Sequence, residues 1–199
     1  MGEAIKLFGT LTSPYTRKIR ILAAAARLDV ELIDTRTDAG AVALSSASPL
    51  AKVPVIEVDG TVIPDSAVII GWLWARHGDA LRVAGFRVDP ADLDDRVSTV
   101  IADGALDAAI NRFYLRRDGF DDRGYVGRQG DRVEAALLWL EARITFGRPI
   151  TGVRLALGCA LDWMVFRHMV DLGRYPKLSV FREAWADSGV GAGTQPEPA

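Results

Sequence analysis

Residues 48–66 read SPLAKVPVIEVDGTVIPDS, and their pattern leaves one local structure. Val53, Val55, Ile56 and Val58 form a β-branched run, Asp59-Gly60 is the dipeptide that closes a two-residue hairpin, and Thr61-Val62-Ile63 returns. Pro54 stands at the entry, where its missing N–H is tolerated at a strand's first residue, an edge or a bulge, so it marks a special turn of which a cis peptide is one form. Asp65-Ser66 then precedes a helical pattern through Val68, Ile69 and Leu73. A carboxylate, a hydroxyl and free backbone N–H groups therefore gather at one helix N-terminus.

Upstream, Ile5-Lys6-Leu7-Phe8 reads as a strand, Ser13 as an N-cap and Pro14 as a first helical residue. Ile19, Ile21, Leu22, Ala25, Ala26 and Leu28 follow at helical spacing, and Val30 to Ile33 is a second strand, which gives a βαβ unit with parallel strands. Residues 34–47 read as a loop with a short helix. With the hairpin and a helix from Ser66 to about Arg76, the order is βαβ-ββα. Beyond His77-Gly78 the strands cease. The expected domains are residues 1–78, a linker at 79–89, an all-helical part at 90–187 and a flexible Gly- and Pro-rich tail at 188–199. Within the helical part, the segment from Thr151 is apolar on nearly every side and reads as the bundle's central helix.

These residues carry a resemblance that covers most of the chain. Val53-Pro54 and Asp65-Ser66 resemble the thioredoxin-like domain of glutathione S-transferases, and SPYTRKIR from Ser13 looks like that family's nucleophile-activating turn in its bacterial, serine-type form. The resemblance implies a thioredoxin-like α/β domain followed by an all-α bundle. It also implies glutathione as co-substrate, with Ser13 as the catalytic hydroxyl. Val53 and the cis Pro54 would offer backbone to the cysteinyl part, and Asp65 and Ser66 would hold the γ-glutamyl end. A homodimer, a small electrophilic second substrate and a role in detoxification follow from it too, with glutathione-dependent isomerisation or dehalogenation open beside conjugation.

Each of these residues also has an ordinary structural role. A Ser13 cap contributes about 1 kcal/mol by itself, and Asp65 or Ser66 is a sufficient cap for its own helix. Lys52 either meets a ligand carboxylate or stands in solvent. Arg17, Lys18 and Arg20 form a solvated face or a positive potential near the helix start. Asn111, Phe113, Tyr114, Trp163 and Phe166 are core aromatics and their neighbour, or the lining of an apolar co-substrate cleft.

Composition narrows the classes. With 24 basic and 26 acidic residues and a net charge of −2, nothing marks a nucleic-acid or membrane-surface partner. Apolar runs fall short of the roughly 18 residues a spanning helix needs, so the cytoplasm is the expected location. The single cysteine, Cys159, precludes an internal disulfide or a Cys-x-x-Cys redox pair, and His77 and His168 lie in unrelated contexts, so no metal and no bound cofactor beyond glutathione is expected.

Two departures from the family pattern stand out. The central helix begins Thr151-Gly152-Val153-Arg154, where members usually carry Ser/Thr-x-x-Asp, so the reciprocal carboxylate is missing and Arg154 opposes the helix dipole, an expected loss of about 1 kcal/mol. There is also neither a cysteine in the N-terminal turn nor a helper histidine in the first long helix. Ser13 then acts alone, or the chain is a non-catalytic, transferase-fold binding or regulatory protein.

Overall fold

In the computed structural model, which describes residues 4–196, the first strand β1 is Ile5–Gly9 and the helix α1 is Pro14–Ala25. β2 (Val30–Asp34) lies parallel to β1, the arrangement a helical crossover connection allows. Helix α2, Asp38–Ala47, fills the expected loop region and is capped by Thr37, whose hydroxyl accepts from the Gly40 N–H at 3.0 Å.

The hairpin forms as its sequence dictates, with β3 at Val55–Val58 and β4 at Thr61–Pro64. Asp59 (φ 49°) and Gly60 (φ 75°) are both left-handed, the geometry whose twist matches that of the flanking strands. The sheet order is β2-β1-β3-β4, with β3 antiparallel to both of its neighbours. Phe8, Leu44 and Val55 form a small core between the sheet and α2.

Helix α3 runs Ser66–Val83, beyond the expected end near Arg76. His77 has non-helical angles (φ −125°, ψ 18°), so His77-Gly78 bends the helix, and Leu81 is fully buried on the continuation. Residues 79–83 of the expected linker are thus helical, and buried apolar side chains at Phe86 and Val88 hold the rest of it.

The chain divides into two units. One holds the chain up to Pro90 with Arg148–Ile150 and the terminal segment from Gly191. In it, Ile150 donates its N–H to the Gly85 carbonyl at 2.8 Å and Arg148 its Nη1–H to that of Ala84 at 3.0 Å. Residues 191–196 form no regular element, yet they are docked: Arg17 Nε donates to the Thr194 hydroxyl at 3.0 Å, and Thr194 closes its own turn on the Gly191 carbonyl; residues 197–199 of the expected tail lie outside the described residues.

The second unit is helical, with α4 (Leu93–Arg117), α5 (Gly124–Arg143), α6 (Gly152–Phe166) and α7 (Pro176–Asp187). α6 is buried continuously from Leu155 to Met164 and is the central helix its composition predicts. It ends at Phe166 rather than near Leu172, because His168 turns left-handed (φ 56°).

The start of α6 departs from expectation in an instructive way. Thr151 occupies the cap position but its side chain makes no capping bond. Asp95 of α4 takes its place, accepting from the Gly152 N–H at 2.8 Å through Oδ2 and from the Val153 N–H at 3.1 Å through Oδ1. A Cβ at residue 152 would lie 2.5 Å from Asp95 Oδ2, so only glycine admits this approach.

Arg154, expected to oppose the dipole, is instead tied into the loop after α5. It donates to the carbonyls of Thr145, Phe146 and Gly147 at 3.0, 3.1 and 2.9 Å and to the Thr145 hydroxyl at 2.8 Å. Burial lowers its pKa, and the charge of Asp95 works against that shift. The carboxylate missing from the local box is thus supplied from another helix.

Candidate glutathione site

Strand register decides which loops meet. Phe8 of β1 pairs with Val55 of β3, and Val55 pairs with Pro64 of β4. The chain leaving β1 toward Ser13, the approach to β3 at Val53-Pro54 and the exit of β4 at Asp65-Ser66 therefore share one end of the sheet. Both α1 and α3 begin there and pack side by side. Two helix N-termini, each equivalent to roughly half a positive charge, gather at that end, a setting that favours an anion.

Ser13 is the N-cap of α1 in extended conformation (φ −75°, ψ 121°), and its Oγ accepts from the Thr16 N–H at 3.2 Å. Among the described residues nothing accepts the hydroxyl proton, so the group caps the helix and remains able to donate outward. Gly9 admits Thr16 close against β1: a Cβ there would sit 2.4 Å from Thr16 Cγ2.

The Val53–Pro54 peptide is cis. Pro54 is buried and its carbonyl accepts from the Asp65 N–H at 3.2 Å, which ties the two turns together. Lys52 is exposed, and its side chain makes no hydrogen bond among the described residues.

Asp65 and Ser66 divide their roles as adjacency allows. Asp65 caps α3, with Oδ1 accepting from Ala67 N–H at 2.7 Å and from Val68 N–H at 3.4 Å, while its carboxylate stays exposed. Its φ of 74° with ψ of 133° is unfavourable for a residue with a Cβ and costs of order 1–3 kcal/mol, a kind of strain that clusters at ligand clamps. Ser66 is only 5% exposed, and among the described residues its hydroxyl makes no hydrogen bond.

The cations of α1 are not a solvated face. Arg17 and Lys18 are 2% and 1% exposed; Lys18 Nζ lies 4.7 Å from the Tyr15 ring centroid, and Arg17 meets the terminal segment described above. The contact that covers Arg17 comes from chain 177 residues downstream, which no local pattern reveals. In the helical unit, Trp163 is buried edge-on to Phe113 (centroids 5.7 Å apart), whereas Tyr114 is largely exposed. Cys159 is buried. Among the described residues no group of three or more His, Cys, Asp or Glu side chains is placed to hold a metal ion, and no helix is long and apolar enough to cross a membrane.

Residues 7–80, which contain every one of these turns, match the family model for the glutathione S-transferase N-terminal domain. A glutathione S-transferase of Methylobacillus flagellatus, solved with glutathione bound, is 27% identical, with 97% of this chain and 100% of that one covered and a TM-score of 0.82. Residues 7–80 thus match a glutathione S-transferase N-terminal domain, and the whole chain is similar in fold to glutathione S-transferases. A second transferase, from Methylobacterium radiotolerans in complex with glutathione sulfonate, is 25% identical over 98% of this chain and 96% of its own, with a TM-score of 0.80. An uncharacterised GST-like protein of Escherichia coli K12, YibF, is 27% identical over 175 residues, 83% of this chain and 84% of its length. The chain has the thioredoxin-like domain and the helical domain expected of it. The Asp95 cap was missed because acidic residues in a first helical turn serve their own helix as a rule; nothing local distinguishes Asp95 from Asp94.

Proposed function

We propose that the protein binds glutathione at the shared sheet end and that Ser13 stabilises its thiolate for attack on a small electrophile. The observation that carries the reading is the Ser13 hydroxyl, which accepts a helix N–H yet keeps its proton for an outside acceptor. A hydrogen bond to a charged group is worth about 1.5–3 kcal/mol, or about one to two pKa units on a thiol of pKa about 8.5. That raises the thiolate fraction at pH 7 from a few per cent to roughly half. The nucleophile is then the sulfur, and the electrophile's leaving group or carbonyl takes the electron pair.

The remaining groups match a tripeptide. The Val53 backbone offers strand-like pairing, the exposed Asp65 carboxylate suits an ammonium, and the Ser66 hydroxyl with the α3 N–H groups suits an α-carboxylate. Lys52 is assigned to a ligand carboxylate. The same proposal places the protein in the cytoplasm, where glutathione is the prevailing thiol. Calorimetric titration with glutathione tests it: the native chain binds, and Ser66→Ala weakens binding about tenfold or more, the loss of one hydrogen bond to a charged group. Failure of the native chain to bind overturns the enzyme reading in favour of a non-catalytic protein on the transferase fold.

A homodimer is part of the proposal. Leu93, Val97 and Val100 are 71%, 48% and 65% exposed and recur at helical spacing on α4, and a Cβ at Gly104 on the same helix would meet nothing within 4 Å. We expect a dimer by light scattering and a monomer for Val100→Asp. A monomeric native chain at working concentration contradicts this assignment.

A further inference from the structure

We propose that Arg167, at the C-terminal end of α6, binds the carboxylate of a small aromatic acid. Its guanidinium carbon lies 4.6 Å from the Phe166 ring centroid and 5.1 Å from that of Phe113, so two rings hold the cation in place. Nε is shut off from solvent and has no hydrogen-bond partner, and among the described residues the guanidinium makes no hydrogen bond or ion pair at all.

The contrast with its neighbours is what gives this weight. Arg112 and Arg116 both fork onto Asp122, Arg174 meets Glu134, and Arg182 donates to Asp162 at 2.9 Å. Asp162, one turn before Arg167, is therefore already engaged. An arginine at a helix C-terminus satisfies the dipole without a ligand, but such a residue ordinarily donates to the last-turn carbonyls, and Arg167 does not. Arg167 is only half-buried, so its outer N–H groups are the ones open to a ligand, and the groups that match a planar fork are carboxylate and phosphate.

The surroundings choose between those two. Phe113 stands edge-on to Tyr114 (5.4 Å) and to Trp163 (5.7 Å), and Tyr114 is 47% exposed, so aromatic surface flanks the cation. A planar acid carrying a ring gains stacking that a phosphate ion does not. The inference concerns the helical unit alone and is independent of the Ser13 reading, so either can fail without the other.

The test is titration of the native chain with benzoate, benzamide and inorganic phosphate, followed by calorimetry. Benzoate is expected to bind at least about tenfold more tightly than either of the others. Arg167→Met, which keeps length and apolar packing, should lower benzoate affinity about 10- to 100-fold to the benzamide level, and Arg167→Lys should restore part of it. In parallel, the Arg167 guanidinium resonances of the native chain should shift with benzoate and stay unmoved with benzamide, a readout that needs no variant. Equal affinity for benzoate and benzamide, phosphate binding as tightly as benzoate, or a folded Arg167→Met that binds benzoate as the native chain does each overturns the proposal.

Discussion

Replacing Ser13 with alanine is expected to lower turnover with a model electrophile about 10- to 100-fold near pH 6.5, with little change in glutathione affinity. The hydroxyl is small and its contact with the ligand is one hydrogen bond, which strengthens as the sulfur becomes anionic. The pH dependence separates this from general damage. A donor that stabilises the thiolate lowers the thiol pKa, so its benefit is largest below the free value of about 8.5 and vanishes once the free thiol is itself ionised. Native and variant rates should therefore converge above about pH 9.5. A constant ratio across pH, or an equal loss in turnover and affinity, argues against thiolate stabilisation. The cap lost in the same substitution costs about 1 kcal/mol, so the variant should fold.

Asp95→Ala should have the largest effect on stability, a loss of about 2–4 kcal/mol that lowers the melting temperature by roughly 5–15 °C for a chain of this size. Two charge-assisted bonds to the first N–H groups of α6 disappear with the carboxylate. The half-buried Arg154 also loses the negative charge that offsets its desolvation. The double variant Asp95→Ala, Arg154→Asp rebuilds the local Thr151-x-x-Asp box and should recover part of the loss, a non-additive result that independent sites cannot give. Melting curves of the four proteins decide it. Additivity would mean that Asp95 and the α6 N-terminus are not coupled.

The hairpin, the βαβ unit and α1 were legible because period-two runs, an Asp-Gly turn and a Ser-Pro helix start are local signals. What escaped is long-range. His77-Gly78 reads as a stop, yet α3 continues because Leu81 finds a buried place. Arg17 and Lys18 read as a solvated face or as a positive potential near the helix start, and the return of Gly191–Thr194 to α1 accounts for the burial of Arg17. The same holds for α6: residues 151–154 show a cap that is missing, and its replacement lies 57 residues away from Gly152. The positions of Ser13, Asp65 and Ser66 at helix starts were legible for the same local reason, and the βαβ-ββα order brings those starts to one end of the sheet.

The most direct test of the central proposal is a titration of bound glutathione followed by the ultraviolet absorbance of its thiolate. In the native complex the thiol should ionise about one to two pKa units below free glutathione, and in Ser13→Ala it should return toward the free value. A bound thiol that ionises at the free value in the native protein would contradict the account.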